Sequence, residues 1–140
     1  MKIVEKDLKK GEVTLIIENL NDLWHLYNII RPNDIIYAKT LRRFRKDEDT
    51  LRSDRGERIQ VYLGIKVEEF NFHPFSNRLR IKGTIVDGPE DLVSLHSYHT
   101  LNVEVHTEFL IRKDHWESFV LKRLEMAETS STQPEILILV

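Results

Sequence analysis

Positively charged side chains that could bind phosphate are concentrated in one segment of the sequence. Eight basic residues lie between positions 39 and 58, against five acidic ones. The basic residues are Lys39, Arg42, Arg43, Arg45, Lys46, Arg52, Arg55 and Arg58. Guanidinium and ammonium groups donate charge-assisted hydrogen bonds to phosphate oxygens. The segment therefore predicts an RNA-binding surface whose phosphate contacts are largely independent of base sequence.

The same segment is interrupted by polar, turn-forming residues, which predict a long hairpin loop. Ser53, Asp54 and Gly56 lie in this stretch, before a strand that begins near Arg58. Phe44 lies among the cations and could stack on a nucleobase. The alternative is a surface loop whose cations are neutralised by its own acids, with no ligand.

A second group of cations lies on one predicted strand. Arg78, Arg80 and Lys82 alternate with apolar residues and therefore share one polar face. They either extend the basic surface toward RNA or form a solvated strand face that discourages edge pairing.

Acidic residues leave a metal-dependent endoribonuclease as the enzymatic alternative. Asp47, Glu48 and Asp49 adjoin the cations, and Asp87 lies close to Glu90 and Asp91. Carboxylates of this kind hold the divalent ions of phosphodiesterases, although acidic runs in loops are usually only solvated. The sequence has neither a GxxxxGK[ST] phosphate loop nor a GxSxG nucleophile motif. We therefore assign no catalytic residue and no cofactor.

Histidine is abundant enough to raise a zinc hypothesis, whereas cysteine is absent. The residues concerned are His73, His96, His99, His106 and His115. Their spacing shows no helical His-x-x-x-His pair with an acidic partner, so we expect structural or surface roles and no metal site. His99 and Thr100 are expected to bond locally at a turn entering the last strand.

Composition places the chain among globular single domains. Its 140 residues are 41% hydrophobic and 31% charged, with a formal net charge of −2. That net charge alone argues against nucleic-acid binding, but the local basic bias matters more than the sum. There is no apolar stretch of transmembrane length and no apolar signal region at the N-terminus, so we expect a cytoplasmic protein without membrane partners.

Alternation of apolar and polar residues predicts several antiparallel strands. Apolar residues recur at every second position in four series and in a fifth strand at residues 34–43. The series contain Val13, Leu15 and Ile17; Ile59, Val61, Leu63, Ile65 and Val67; Leu79, Ile81 and Ile85; and Leu101, Val103, Val105, Phe109 and Ile111. A short strand at Lys2–Lys6 is also predicted. Such strands predict a small barrel or strongly bent sheet.

Two segments have helical periodicity. The first is predicted to start with Asn21 as N-cap and to stop near Ile30, before Pro32. Its apolar face is expected to be core and contains Leu20, Leu23, Trp24, Tyr27 and Ile30. The second is predicted to start at Asp114 in a capping box with Glu117. Its apolar stripe contains Trp116, Phe119, Val120, Leu124 and Ala127.

Composition changes near the end of the chain. Residues 129–134 have a linker composition, and residues 135–140 include an unbroken apolar run typical of a central parallel strand. We therefore expect one domain at 1–128, a linker at 129–134 and, at 135–140, the truncated first strand of a central α/β domain.

Several segments together resemble archaeal Pelota. They are residues 1–11, the Leu-Trp-His-Leu-Tyr-Asn stretch at 23–28, Asp-Ile-Ile-Tyr-Ala-Lys-Thr at 34–40, Leu-Arg-Ile-Lys-Gly at 79–83 and Ser-Tyr-His-Thr-Leu at 97–101. The resemblance covers residues 1 to about 126. It departs from the family pattern at residues 105–107, where relatives are expected to have a Pro-Gly-like turn.

The resemblance implies a small Sm-like β domain with two helices, joined to two further domains. Pelota proteins rescue stalled ribosomes in mRNA surveillance and no-go decay, and they are related to class I termination factors. The resemblance implies that this domain contacts rRNA and mRNA at the decoding site without recognising a stop codon. It also implies an elongation-factor-like GTPase and a recycling ATPase as partners of the intact protein. A plain docking module for that GTPase remains a further alternative.

Overall fold

The computed structural model describes residues 1–44, 57–73, 75, 77–89 and 91–132. It contains seven strands and two helices within these ranges. In chain order they are β1 Lys2–Asp7, β2 Glu12–Ile16, α1 Leu20–Ile29, β3 Ile35–Phe44, β4 Glu57–His73, β5 Arg78–Asp87, β6 Tyr98–Val103, β7 Glu108–Arg112 and α2 Ser118–Thr132. Neither of these helices is long and apolar enough to cross a membrane.

All seven strands form one antiparallel sheet with the order β1-β2-β7-β3-β4-β5-β6. The predicted architecture, mainly β with two helices, is confirmed. Among the described strands, β1 and β6 form two separate edges, so the sheet is not closed into a barrel.

The core lies between one face of the sheet and the two helices. Alternate residues of the strands point into it, as period-two patterning requires. The fully buried strand residues include Val13, Leu15, Ile36, Leu63, Ile65, Leu79, Ile81 and Ile111. Helix α1 packs against β4, β5 and α2, and α2 also contacts β1.

The sheet is strongly bent. Irregular register interrupts the β4–β5 pairing at Gly64/Ile65 and again at Val67/Glu69, and such bulges increase local twist. As a result, Thr40 on β3 reaches β6, where its Oγ1 lies 3.0 Å from His99 Nε2. His99, for which we expected local bonding at a turn, lies within β6 and bonds across the sheet.

The last predicted apolar series is divided between two strands. A turn follows Val103, with the N–H of Thr107 donating to the carbonyl of Glu104. His106 in this turn has a positive φ of 78°, a backbone region that glycine adopts more readily. The alternation therefore continues across this turn, although β7 lies four strands away from β6 in the sheet order.

Helix α1 begins two residues earlier than predicted, because its N-cap is Asn19 and not Asn21. Asn19 Oδ1 accepts from the N–H of Asp22, and the Asp22 carboxylate accepts from the N–H of Asn19, which completes a capping box. The same carboxylate lies 2.6 Å from the amino group of Met1. The buried end of α1 is thereby tied to the start of the chain.

The buried face of α1 differs from the predicted one. Leu23, Leu26 and Ile29 are fully buried, whereas Leu20 and Trp24 are 46% and 50% exposed. The prediction that Leu20 and Trp24 belong to the core is therefore wrong. Two apolar stripes overlap on this helix, and periodicity alone did not indicate which of them faces the sheet.

Helix α2 starts at Ser118, so the predicted start at Asp114 is wrong. The preceding segment is held in a non-helical path by Trp116, whose indole N–H donates to the carbonyl of Gly11 over 2.8 Å. Phe119, which was predicted to be in the apolar stripe, is exposed, while Val120 is buried.

The far end of α2 runs through residues 129–132, which composition assigns to a linker. Ala127, near this end, is fully buried. The predicted strand at 135–140 lies outside the described residues.

Candidate nucleic-acid interface

The far ends of β3 and β4 form a two-stranded extension of the sheet. β3 pairs with β7 only over residues 35–38, and β4 pairs with β5 only from Gly64 onward. Residues 39–44 of β3 and 57–62 of β4 therefore pair, within the described chain, only with each other. We call these two stretches the β3–β4 ribbon.

The ribbon contains five of the predicted RNA-binding residues. Lys39 is exposed where the ribbon begins, and Arg42, Arg43 and Phe44 occupy the last three positions of β3. Arg58 is the second residue of β4. The other four predicted residues of this segment, Arg45, Lys46, Arg52 and Arg55, lie outside the described residues.

Two arginine positions face each other across the ribbon. The register pairs Arg43 of β3 directly with Arg58 of β4, next to the pair formed by Phe44 and Glu57. Like charges at directly opposed positions destabilise a strand pair.

The root of the ribbon is firmly attached to the domain. Ala38 and Val61 are buried on the inner face, and Thr40 on that face bonds to His99 of β6. On the outer face, Leu41 is 56% exposed and Tyr62 is 52% exposed. One face of the ribbon is therefore anchored, and the other faces solvent.

An aromatic pair lies on the outer face where the ribbon joins the sheet. The rings of Tyr37 and Tyr62 are stacked, with centroids 5.9 Å apart and an interplanar angle of 25°. The hydroxyl of Tyr37 donates to Asp87 over 3.1 Å. Burial, together with this hydrogen bond, raises the pKa of Tyr37 above its ordinary value. The guanidinium of Arg112 lies 5.1 Å from the Tyr37 ring centroid.

Glycine at position 64 makes room for this pair. A Cβ atom there would lie 2.6 Å from Cε2 of Tyr37, so a larger residue would displace the ring. The contact between these two rings was not predicted from the sequence. The available signal was Tyr62, a large aromatic residue on the polar side of the alternating series from Ile59 to Val67.

The second predicted basic group lies on β5, away from the ribbon. Arg80 and Lys82 are exposed, and the neighbouring Leu79 and Ile81 are buried, as the alternation predicted. β5 pairs with residues 64–73 of β4, whereas the ribbon uses residues 57–62. The structure therefore places the two basic groups along different parts of β4.

The β5 cations are interleaved with acids. Lys82 is paired in register with Glu69, and Arg78 forms an ion pair with Glu104 at 3.4 Å. A polar groove of about 270 Å³ runs across this face and is lined by Glu69, Asn71, His73, Arg80, Lys82 and Thr100. This mixture of charges makes the β5 face less favourable for phosphate than a purely basic surface.

The described residues contain no group of three His, Asp or Glu side chains arranged to hold a metal ion. The acidic cluster at 47–49 and Glu90 lie outside those residues. Asp87, from the second predicted acidic cluster, accepts the hydroxyl hydrogen bond of Tyr37.

Comparison with known proteins agrees with this fold. The sequence profile described as the Pelota N-terminal domain matches residues 1–128. The pelota homolog of Methanothermobacter thermautotrophicus is 47% identical over 141 residues, which cover 100% of this chain and 40% of that protein.

Two solved structures show the same architecture. One is described as a model of ribosome-bound archaeal Pelota and ABCE1; it has a TM-score of 0.76 and 45% identity, covering 91% of this chain and 36% of that one. The other is Saccharomyces cerevisiae Dom34, with a TM-score of 0.67 and 26% identity, covering 91% and 32%. Dom34 is described as a translation termination-like factor involved in RNA quality control pathways and interacting with Hbs1.

The fold and these matches define a Pelota-type N-terminal domain, a class whose solved members include a protein described as translation termination-like. The chain belongs to the Pelota family and contains its N-terminal domain. It spans about 40% of the length of the curated relatives it matches.

Proposed function

We propose that this domain is the RNA-contacting part of a ribosome-rescue factor, and that the β3–β4 ribbon and the four basic residues of segment 45–56 bind the decoding site of a stalled ribosome. The observation that carries this proposal is the isolation of the ribbon. Its two strands extend past both neighbouring strands of the sheet and contain four basic residues, Lys39, Arg42, Arg43 and Arg58. Such an extension can enter a channel that the body of the domain cannot.

The chemistry of the ribbon favours phosphate over base edges. Arginine and lysine contacts to phosphate position a protein on RNA without reading its sequence. This supports action on whichever codon is stalled, with no stop-codon specificity. The β5 residues Arg78, Arg80 and Lys82 are assigned a secondary, weaker contact because Glu69 and Glu104 accompany them.

Partners of the intact protein are proposed from its relatives. An archaeal Pelota is described as ribosome-bound together with ABCE1, and Dom34 as interacting with Hbs1. We propose the ribosome, an elongation-factor-like GTPase and a recycling ATPase as the corresponding partners here. A cytoplasmic location follows from that assignment.

A protein-docking role is the second candidate, and exposed apolar residues on the helices favour it. Trp24 on α1 and Phe119 and Met126 on α2 are each at least half exposed. Apolar docking responds weakly to salt, whereas phosphate binding responds steeply, because counterions are released from RNA. Salt dependence therefore separates the two candidates.

The test is the affinity of the chain for ribosomes with an empty decoding site, measured across a salt series. The variant is Arg42/Arg43/Arg58→Ala, and the matched control is Lys2/Lys6/Lys122→Ala. The control removes the same charge from exposed positions on β1 and α2. We expect the ribbon variant to lose about 2 to 3 units of the log–log salt slope, and the control to lose little.

Equal effects of the two triple variants would contradict the ribbon assignment and indicate general electrostatic attraction. Unchanged, salt-insensitive binding in both would favour docking through the helices. The same samples are assayed for magnesium-dependent RNA cleavage. Cleavage that the ribbon variant abolishes would support the endoribonuclease alternative.

A further inference from the structure

The Tyr37–Tyr62 pair has the geometry of a stacking platform on an open sheet face. The Tyr62 ring lies in an offset stacked contact with Tyr37, at a centroid distance of 5.9 Å, and half of the residue remains exposed. Tyr37 is itself fixed by Asp87 through its hydroxyl and by the guanidinium of Arg112. The exposed Tyr62 ring therefore lies beside a ring that is held by contacts of its own.

The platform is continuous with the ribbon. Tyr62 is paired in register with Lys39, the first residue of the ribbon on β3. The next outward-facing pair is Leu41 with Gln60, and both are exposed. One outer surface thus leads from the aromatic pair to the arginine positions at 43 and 58.

Charge around the platform differs from charge on the ribbon. Burial raises the pKa of Tyr62, and the negative charges of Glu12, Glu108 and Asp87 raise it further. Glu12 accepts two hydrogen bonds from Arg112, at 2.7 and 3.1 Å. The rim of the platform therefore carries both signs of charge, and its carboxylate oxygens can accept hydrogen bonds from the exocyclic amino groups of bases.

We propose that Tyr62 stacks on an unpaired RNA nucleobase while the ribbon holds the phosphates of the same strand. The inference rests on the proposed RNA contact and adds a base-binding site to it. Base–aromatic stacking tolerates different bases, because every base has a π-face. The site therefore accepts unpaired nucleotides without reading a codon.

The experiment compares two probes, a short oligoadenylate and an abasic oligonucleotide of the same length and charge. Affinity is measured for the wild-type chain, Tyr62→Ala, Tyr62→Phe and Phe119→Ala. Phe119 is an exposed aromatic residue on α2 and serves as the matched control. Thermal unfolding of each variant confirms that it is folded.

We expect Tyr62→Ala to weaken oligoadenylate binding by about 5-fold to 100-fold, as loss of one base–aromatic stack does. Affinity for the abasic probe should not change. Tyr62→Phe and Phe119→Ala should bind both probes as the wild type does, because the first keeps a ring and the second lies elsewhere.

Three results would overturn the inference. If Tyr62→Ala binds oligoadenylate as tightly as the wild type and with the same steep salt dependence, the stacking role of Tyr62 is contradicted. The proposed RNA contact of the ribbon would then still stand. Equal weakening for both probes would show that Tyr62 acts through structure and not through stacking. Absence of wild-type binding to either probe at any salt concentration would contradict both the platform and the proposed RNA contact.

Discussion

The hydroxyl of Thr40 on β3 bonds to Nε2 of His99 on β6 over 3.0 Å, although β4 and β5 separate these strands in the sheet. The contact exists because the bulged β4 bends the sheet back on itself. Thr40 is the second residue of the ribbon, so this bond fixes the ribbon's root to the opposite edge of the domain.

Removing the hydroxyl at position 40 should loosen that attachment. Thr40→Val keeps the shape of the side chain and leaves His99 without this partner. We expect the free energy of unfolding in urea to fall by about 1 kcal/mol, the usual worth of one such hydrogen bond. Thr14→Val on β2, where the threonine is also half-buried, is the control. Equal stability of the two variants would contradict the anchoring role.

The buried carboxylate of Asp22 should be important for stability. It accepts from the N–H groups of Glu18 and Asn19 and pairs with the amino group of Met1 at 2.6 Å. Asp22→Asn removes the buried charge and leaves the partly exposed Glu18 carboxylate as the remaining acidic neighbour of the buried ammonium. We expect a loss of about 3 kcal/mol in the free energy of unfolding, because breaking a buried ion pair on one side is costly.

The comparison for this prediction is Glu18→Gln. The Glu18 carboxylate lies 3.2 Å from the same amino group but is 42% exposed, so its removal should cost much less. If Asp22→Asn lowers the free energy of unfolding no more than Glu18→Gln does, the buried pair contributes little net stability.

Acid should destabilise the fold through His25. This buried histidine of α1 has a pKa lowered from 6.5, first by burial and then by the Arg123 charge, with Asp22 acting in the opposite direction and the Met1 ammonium adding to the lowering. Below pH 6.5 the unfolded chain binds a proton that the folded chain does not. Stability therefore falls as pH drops from 6.5 to the folded pKa and levels off below it.

An NMR titration of the histidine ring measures the folded pKa directly, and a value at or above 6.5 would contradict the prediction. His25→Gln has no titrating group at this position. Its free energy of unfolding should therefore change less over the same acidic range than that of the wild type.

A methyl group at position 64 should disturb the aromatic pair. In Gly64→Ala the new Cβ would lie 2.6 Å from the Tyr37 ring, which must move and strain its hydrogen bond to Asp87. We expect a loss of about 1 to 3 kcal/mol in the free energy of unfolding.

A double-mutant cycle with Tyr37→Ala tests the cause of that loss. With the ring removed, Gly64→Ala should cost little, because nothing remains for the methyl group to displace. Full additivity of the two single losses would show that the glycine is required for another reason.

Period-two patterning was sufficient to predict most strands, because one buried face imposes it on each of them. It was insufficient where a turn left the phase of the alternation unchanged: Val103, Val105 and Phe109 continue one alternation across the turn between β6 and β7. The alternation also could not predict the order of the strands in the sheet, because β7 lies between β2 and β3, which are distant from it in sequence.

The candidate site was predictable in part. The basic segment is visible in the sequence, and the position of Arg42 and Arg43 at the end of a strand follows from the alternation. The isolation of the ribbon depends on where β7 and β5 stop pairing, which no local pattern reveals. The stacking of Tyr37 on Tyr62 likewise depends on strand register and on the space above Gly64.

The most direct test of the central claim is site-specific photocrosslinking to ribosomes with an empty decoding site. A benzoylphenylalanine replaces Leu41, an exposed ribbon residue without charge, and in a parallel sample replaces Phe119 on α2. We expect position 41 to crosslink to rRNA or mRNA of the decoding site and position 119 not to do so. The proposed position of the ribbon in the decoding site would be contradicted if position 41 crosslinked only to protein. It would also be contradicted if only position 119 crosslinked to the decoding site.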